Sequence, residues 1–195
     1  MSLVTKSRLS VMLKTRWRNK EPRTLDDLAG VVGFNIWKIA QETFRHMEGE
    51  AFRFGSDAQV TQVMTELIAF LVQGTDRMVY AQMEQTKRQT FMNGLGAHLA
   101  KTMANNQTDL LGPGAYETTF IETLNTRFSE YAEFHYGADG PSYSCLRFLG
   151  ERVSEAMVVT DNRWVVEYIM DIEAPDMLKF LKKLLDDVLI PKTAQ

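Results

Sequence analysis

His135 is the residue whose sequence neighbourhood best suits a functional pocket. On a helix that continues past it, His135 shares an apolar face with Phe128 and Tyr131, and the charged residues Arg127 and Glu130 lie close by. A buried imidazole needs a hydrogen-bond partner or a metal, and it can act as a general base. These five residues form the predicted ligand-binding site. The structural alternative is a core histidine satisfied by a tyrosine or a backbone carbonyl.

Glu42 and His46 are a second pair with the chemistry of a ligand site. They lie four residues apart in the first long helical pattern, so their side chains share one face of that helix. Such a pair supplies half of a metal site, but it is also the usual spacing of a surface ion pair. The sequence therefore predicts no metal, keeps Glu42 and His46 as weak candidates, and leaves the cofactor unknown.

Familiar catalytic signatures are absent from the sequence. It contains no Walker-type phosphate loop, no G-x-S-x-G nucleophile motif and no paired Glu-x-x-His motifs of the di-iron type. The single cysteine, Cys145, has no histidine beside it in the sequence, and we expect it to be a small buried apolar residue. These observations weigh against an enzyme without deciding the question.

Apolar residues recur every three or four positions along most of the chain, which is the period of an α-helix. Possible capping boxes begin at Thr24, Ser56 and Thr119. We therefore expect a single-domain, all-α bundle of about five to seven helices. Glu66 falls on the polar side of the central helix and is expected to be solvated. The predicted helices cover 24–48, 56–73, about 75–105, 119–136, 142–157 and 176–189.

Two segments leave alternatives open. At Gly74 the chain either ends one helix and caps the next or kinks within one long helix. Near 158–166, β-branched residues flank Asp161 and Asn162, which suits a short β-hairpin or a helix beginning at Arg163. The helix is preferred, because its neighbours are helical and an isolated hairpin is only marginally stable.

Charge divides the chain into a basic N-terminal arm, 1–23, and a helical domain, 24–195. The arm has seven basic residues and one acidic residue, whereas the remainder has 15 basic and 24 acidic residues and a net charge of −9. Apolar side chains between the basic residues indicate that the arm packs on something. It is either a solvated tail, a strip docked on the acidic body or a contact for an anionic partner. Nucleic acid is not favoured, because no basic recognition helix is evident.

The remaining expectations concern location and function. No apolar run approaches the ~18 residues that cross a bilayer, no signal peptide is evident, and one cysteine suits a reducing compartment, so we expect a cytoplasmic protein. The preferred function is a non-enzymatic interaction or regulatory protein, homodimeric and using an apolar helix face. The alternative is a ligand-binding bundle or small enzyme with an aromatic pocket around His135. The expected partners are a second copy, another protein or a small apolar ligand.

Overall fold

The computed structural model describes residues 24–157 and 164–189, and in these residues the chain forms six helices and one short hairpin. The prediction of an all-α bundle of five to seven helices is confirmed. Strands β1 (Tyr136–Gly137) and β2 (Gly140–Pro141) pair antiparallel, with Tyr136 opposite Pro141. The first five helices are α1 (Leu25–Gly49), α2 (Asp57–Val79), α3 (Gln85–Leu111), α4 (Tyr116–Ala132) and α5 (Tyr143–Met157).

The last helix, α6, runs through 165–189 and contains one wide turn. It consists of α-helical Val165–Tyr168, a π-helical turn at Ile169–Glu173 and α-helical Ala174–Leu189. Pro175 has no N–H to donate to the carbonyl of the preceding turn, which accounts for the irregular ladder beside it. The sequence placed a helix start at Pro175. The structure instead continues the helix through this residue.

Side-chain caps fix the starts of α1 and α2 where the sequence predicts them. The Thr24 hydroxyl accepts a hydrogen bond from Asp27 N at 3.0 Å, and the Asp27 carboxylate accepts one from Thr24 N at 3.2 Å. The Ser56 hydroxyl caps α2 by accepting from Gln59 N. Each bond satisfies a backbone group that the first turn of a helix leaves without a partner.

Helix α2 lies at the centre, in contact with α1, α3, α4, α5 and α6. Its residues 67–75 are all buried. Gly74 is neither a helix end nor the start of a new helix, because α2 continues to Val79. A side chain at Gly74 would meet Leu178 and Leu181 of α6 at 3.3 and 3.2 Å, so glycine permits the close packing of these helices.

Several predicted boundaries were wrong. Helix α3 begins at Gln85 instead of near 75 and continues to Leu111 through residues expected to form a loop. Helix α4 begins at Tyr116, and the Thr119 hydroxyl donates to Ala115 O instead of capping. A hairpin occurs at 136–141, where only a turn was predicted. Most of the hairpin considered for 158–166 lies outside the described residues, and Val165 within it is helical. No helix in the described ranges combines the length and apolar character of a membrane span.

Candidate functional site

His135 lies beyond the end of α4 and is exposed. The helix ends at Ala132, and the His135 carbonyl accepts a hydrogen bond from Ser142 N at 3.0 Å as the chain turns into the hairpin. Its predicted position on the apolar face beside Phe128 and Tyr131 is therefore wrong. The helical spacing that linked these residues stops three positions before the histidine.

The other four predicted ligand-binding residues divide between the core and an ion-pair network. Tyr131 is 1% exposed and packs against Phe70, and Phe128 is partly buried against the same core. Arg127 and Glu130 pair with each other at 2.7 Å. Of these five residues, only Arg127 lines one of the two clefts described below.

Glu66, expected to be solvated, is 7% exposed and pairs with Arg127. Arg127 Nε donates to Glu66 Oε2 at 2.6 Å, and Arg127 Nη2 donates to Oε1 at 2.7 Å. These hydrogen bonds raise the pKa of Arg127 above its usual value, so the guanidinium remains charged. The pair joins α2 to α4, and both carboxylate oxygens of Glu66 are already in use. We assign it a structural role.

Arg127 also lines a cleft of about 590 Å³ between α2, α3, α4 and α5. The threonine hydroxyls of this cleft donate to carbonyls of their own helices, as Thr61 does to Ala58 O and Thr123 to Thr119 O. Its second arginine, Arg152, pairs with Glu155. The charged groups of the cleft are thus paired within the protein, but two buried atoms of its lining, Arg152 Nε and Gln107 Oε1, have no hydrogen-bond partner among the described residues.

A second depression, which we call the α1–α6 groove, has a volume of about 420 Å³. Its apolar part consists of Ile39 from α1 and Met177, Phe180 and Leu184 from α6. Its polar part contains more carboxylates than ammonium groups. The charged and titratable residues are Lys38, Glu42, His46, Glu173, Asp176, Lys183 and Asp187.

Glu42 and His46, the weak metal candidates, belong to a chain of polar groups at one end of this groove. His46 Nε2 lies 3.5 Å from Glu42 Oε1, and His46 Nδ1 lies 3.3 Å from Glu173 Oε1. Glu173 is 2% exposed and also accepts a hydrogen bond from the Tyr168 hydroxyl at 2.7 Å. Among the described residues, no three or more His, Cys, Asp or Glu side chains are placed to hold a metal ion.

Burial and the hydrogen bond to Glu173 raise the pKa of Tyr168 well above its ordinary value, so the phenol keeps its proton. Sequence reasoning missed both residues. Tyr168 and Glu173 are five residues apart, a spacing that an α-helix does not place on one face but that the π-helical turn does. Pro175, which lies just beyond this turn, was the signal in the sequence that could have indicated an irregular helix.

The groove therefore combines an apolar surface with an excess of negative charge. Each nitrogen of His46 faces a carboxylate. The described residues that line the groove include neither a serine nor a cysteine. This arrangement suits binding of a cationic, partly apolar group. Comparisons of the chain with protein-family models, curated proteins and solved structures find no match.

Proposed function

We propose that this chain is a non-enzymatic interaction protein whose α1–α6 groove binds a basic amphipathic helix of a partner protein. The observation that carries the proposal is Phe180, which is 54% exposed on a groove that also presents Glu42 and Asp176. A large exposed aromatic side chain beside carboxylates offers both apolar area and negative charge to a partner.

The shape of the groove supports a helix as the occupant. Both walls are helices, and their lining residues recur every three or four positions, from 35 to 46 on α1 and from 173 to 187 on α6. At 1.5 Å per residue the α6 wall is about 21 Å long, which matches about four helical turns. A third helix in the furrow between two helices is a common packing arrangement.

The charges favour a basic partner over an acidic one. Four carboxylates line the groove against two lysines, although Glu173 is buried and Glu42 already pairs with Arg45. Exposed ion pairs contribute only about 0.2–1 kcal/mol each, so burial of Phe180 and its apolar neighbours would supply most of the affinity. The charges would act on the association rate and on the choice of partner.

The surroundings of His46 support binding rather than catalysis. A general base needs one ring nitrogen directed at the proton that it removes. Both nitrogens of His46 are within ion-pair distance of carboxylates, Glu42 on one side and Glu173 on the other. Both ring nitrogens are therefore already engaged by carboxylates of the protein itself.

The expected homodimer and cytoplasmic location stay separate predictions. Two copies of a groove with excess negative charge repel each other, so self-association would use a different surface. A small apolar ligand is the competing occupant of the groove.

The test is fluorescence anisotropy with a labelled synthetic helix of ~18 residues, leucine at every third or fourth position and lysine elsewhere. The groove variant Glu42→Lys, Asp176→Lys, Phe180→Lys should lose at least about tenfold in affinity at ~0.15 M salt. The control Glu117→Lys, Thr118→Lys, Glu122→Lys changes net charge equally on exposed positions of α4 and should bind as wild type. Equal losses in both variants would overturn the proposal.

A further inference from the structure

We infer that residues 1–23 of this chain are themselves a ligand of the α1–α6 groove and compete there with the partner helix. The inference rests on the proposed function, because it assigns to the groove an occupant of the same chemistry. It adds a regulatory element, since a partner must displace the chain's own arm before it binds.

The chemistry of the arm matches what the groove would accept. Residues 1–23 contain seven basic residues and only one acidic residue, Glu21. Leu9, Leu13 and Trp17 follow one another at intervals of four, the spacing that places side chains on one face of a helix. A basic segment with an apolar stripe is complementary to apolar Phe180 and Leu184 flanked by carboxylates.

The arm is attached where it can reach the groove. It joins the chain just before Leu25, the first residue of α1, and α1 supplies one wall of the groove from Asn35 to His46. At 1.5 Å per residue this wall lies between about 15 and 32 Å from the start of α1. A segment of 23 residues spans about 35 Å as a helix and about 75 Å when extended. It therefore reaches the whole wall when it folds back along α1.

Tethering makes even a weak contact significant. A short linker gives the attached segment an effective concentration on the order of 1 mM at its site. If the isolated arm bound the groove with a Kd on the order of 0.1 mM, docking would weaken apparent partner binding by about tenfold. The negative charge of residues 24–195, net −9, favours the same docking.

The experiment uses the full chain and the same synthetic lysine–leucine helix. The arm variant Lys14→Glu, Arg16→Glu, Arg18→Glu should bind this helix about tenfold more tightly than wild type, because its arm no longer competes. The control Lys87→Glu, Lys101→Glu, Lys179→Glu makes the same change in net charge on exposed residues of the domain. It measures the gain that added negative charge alone produces.

A second measurement locates the arm directly. Zero-length carbodiimide coupling followed by mass spectrometry should join lysines of 1–23 to Glu42 or Asp176 within one chain. If the arm variant gains no more affinity than its control, or if coupling joins the arm only to residues outside the groove, the inference is overturned. If adding the groove substitutions to the arm variant abolishes its binding of the helix, the proposed function stands, whether or not the inference about the arm does. If no variant binds the helix, the proposed function fails and this inference with it.

Discussion

Arg127 on α4 donates two hydrogen bonds to the buried carboxylate of Glu66 on α2, one to each oxygen, at 2.6 and 2.7 Å. Because Glu66 is 7% exposed, this carboxylate has little access to water. Two-point contact between a guanidinium and a carboxylate fixes both position and orientation. The pair therefore sets how α4 packs on the central helix.

Loss of the Arg127 side chain should be strongly destabilising. Arg127→Ala leaves the Glu66 charge buried without its partner, and we expect the free energy of unfolding to fall by about 3–5 kcal/mol. Urea denaturation followed by circular dichroism at pH 7 measures it. Arg147→Ala is the control, because Arg147 is 58% exposed and its pair with Glu151, screened by solvent, should contribute little to stability. Similar losses in both variants would contradict a structural role for the Glu66–Arg127 pair.

Gly150 on α5 should not tolerate a methyl group. A Cβ atom there would lie 2.9 Å from the Val166 carbonyl oxygen and 3.0 Å from Val166 Cα, which are backbone atoms that cannot rotate away. We expect Gly150→Ala to cost about 1–3 kcal/mol. Gly96→Ala is a matched helical substitution whose new Cβ meets only Leu124 Cδ2 at 3.7 Å, and it should stabilise by about 0.5–1 kcal/mol. Thermal unfolding of the two variants should show opposite shifts in Tm.

The Cys145 thiol should be unreactive in the folded protein. It is 3% exposed, and burial raises its pKa to about 11. A rise of two pKa units lowers the thiolate fraction near pH 8 about a hundredfold. A thiol-specific chromogenic reagent should label the native protein at least about a hundredfold more slowly than the protein in guanidinium. Rapid native labelling at pH 8 would show that the thiol is accessible.

Stability should decline in alkali. Burial raises the pKa of Cys145 from near 9 to about 11 and that of Tyr136 from near 10 to about 12. Between these values the unfolded chain has released protons that the folded chain retains, so the free energy of unfolding falls as pH rises. We expect a decline from about pH 9 to pH 11. The variant Cys145→Ala should show a shallower decline, and an unchanged slope would contradict the assigned cause.

Local signals in the sequence predicted the starts of α1 and α2 correctly, and a contact between distant residues explains one of the failures. Thr24 and Ser56 act on backbone groups three residues away, so their roles can be read from the sequence. Glu66 was misplaced because Arg127, its partner, lies 61 positions along the chain.

The sequence-based prediction also failed where regular α-helix ends or is interrupted. No glycine or proline lies between Ala132 and Gly137, so the end of α4 had no marker and His135 was assigned to its face. The π-helical turn inserts one extra residue into α6, so the side chains beyond it face a direction other than the one expected from α-helical spacing. As a result Glu173 faces His46, a contact that a period of 3.6 residues does not predict.

Chemical-shift mapping of the full chain tests the groove most directly. Backbone amide spectra would be recorded while the unlabelled lysine–leucine helix is added. We predict that the largest shifts fall in 35–46 of α1 and 173–187 of α6, with little change around Arg127 and the second cleft. Shifts that cluster on α4 and α5 instead, or that are absent at saturating peptide, would contradict the assignment of the α1–α6 groove as the binding surface.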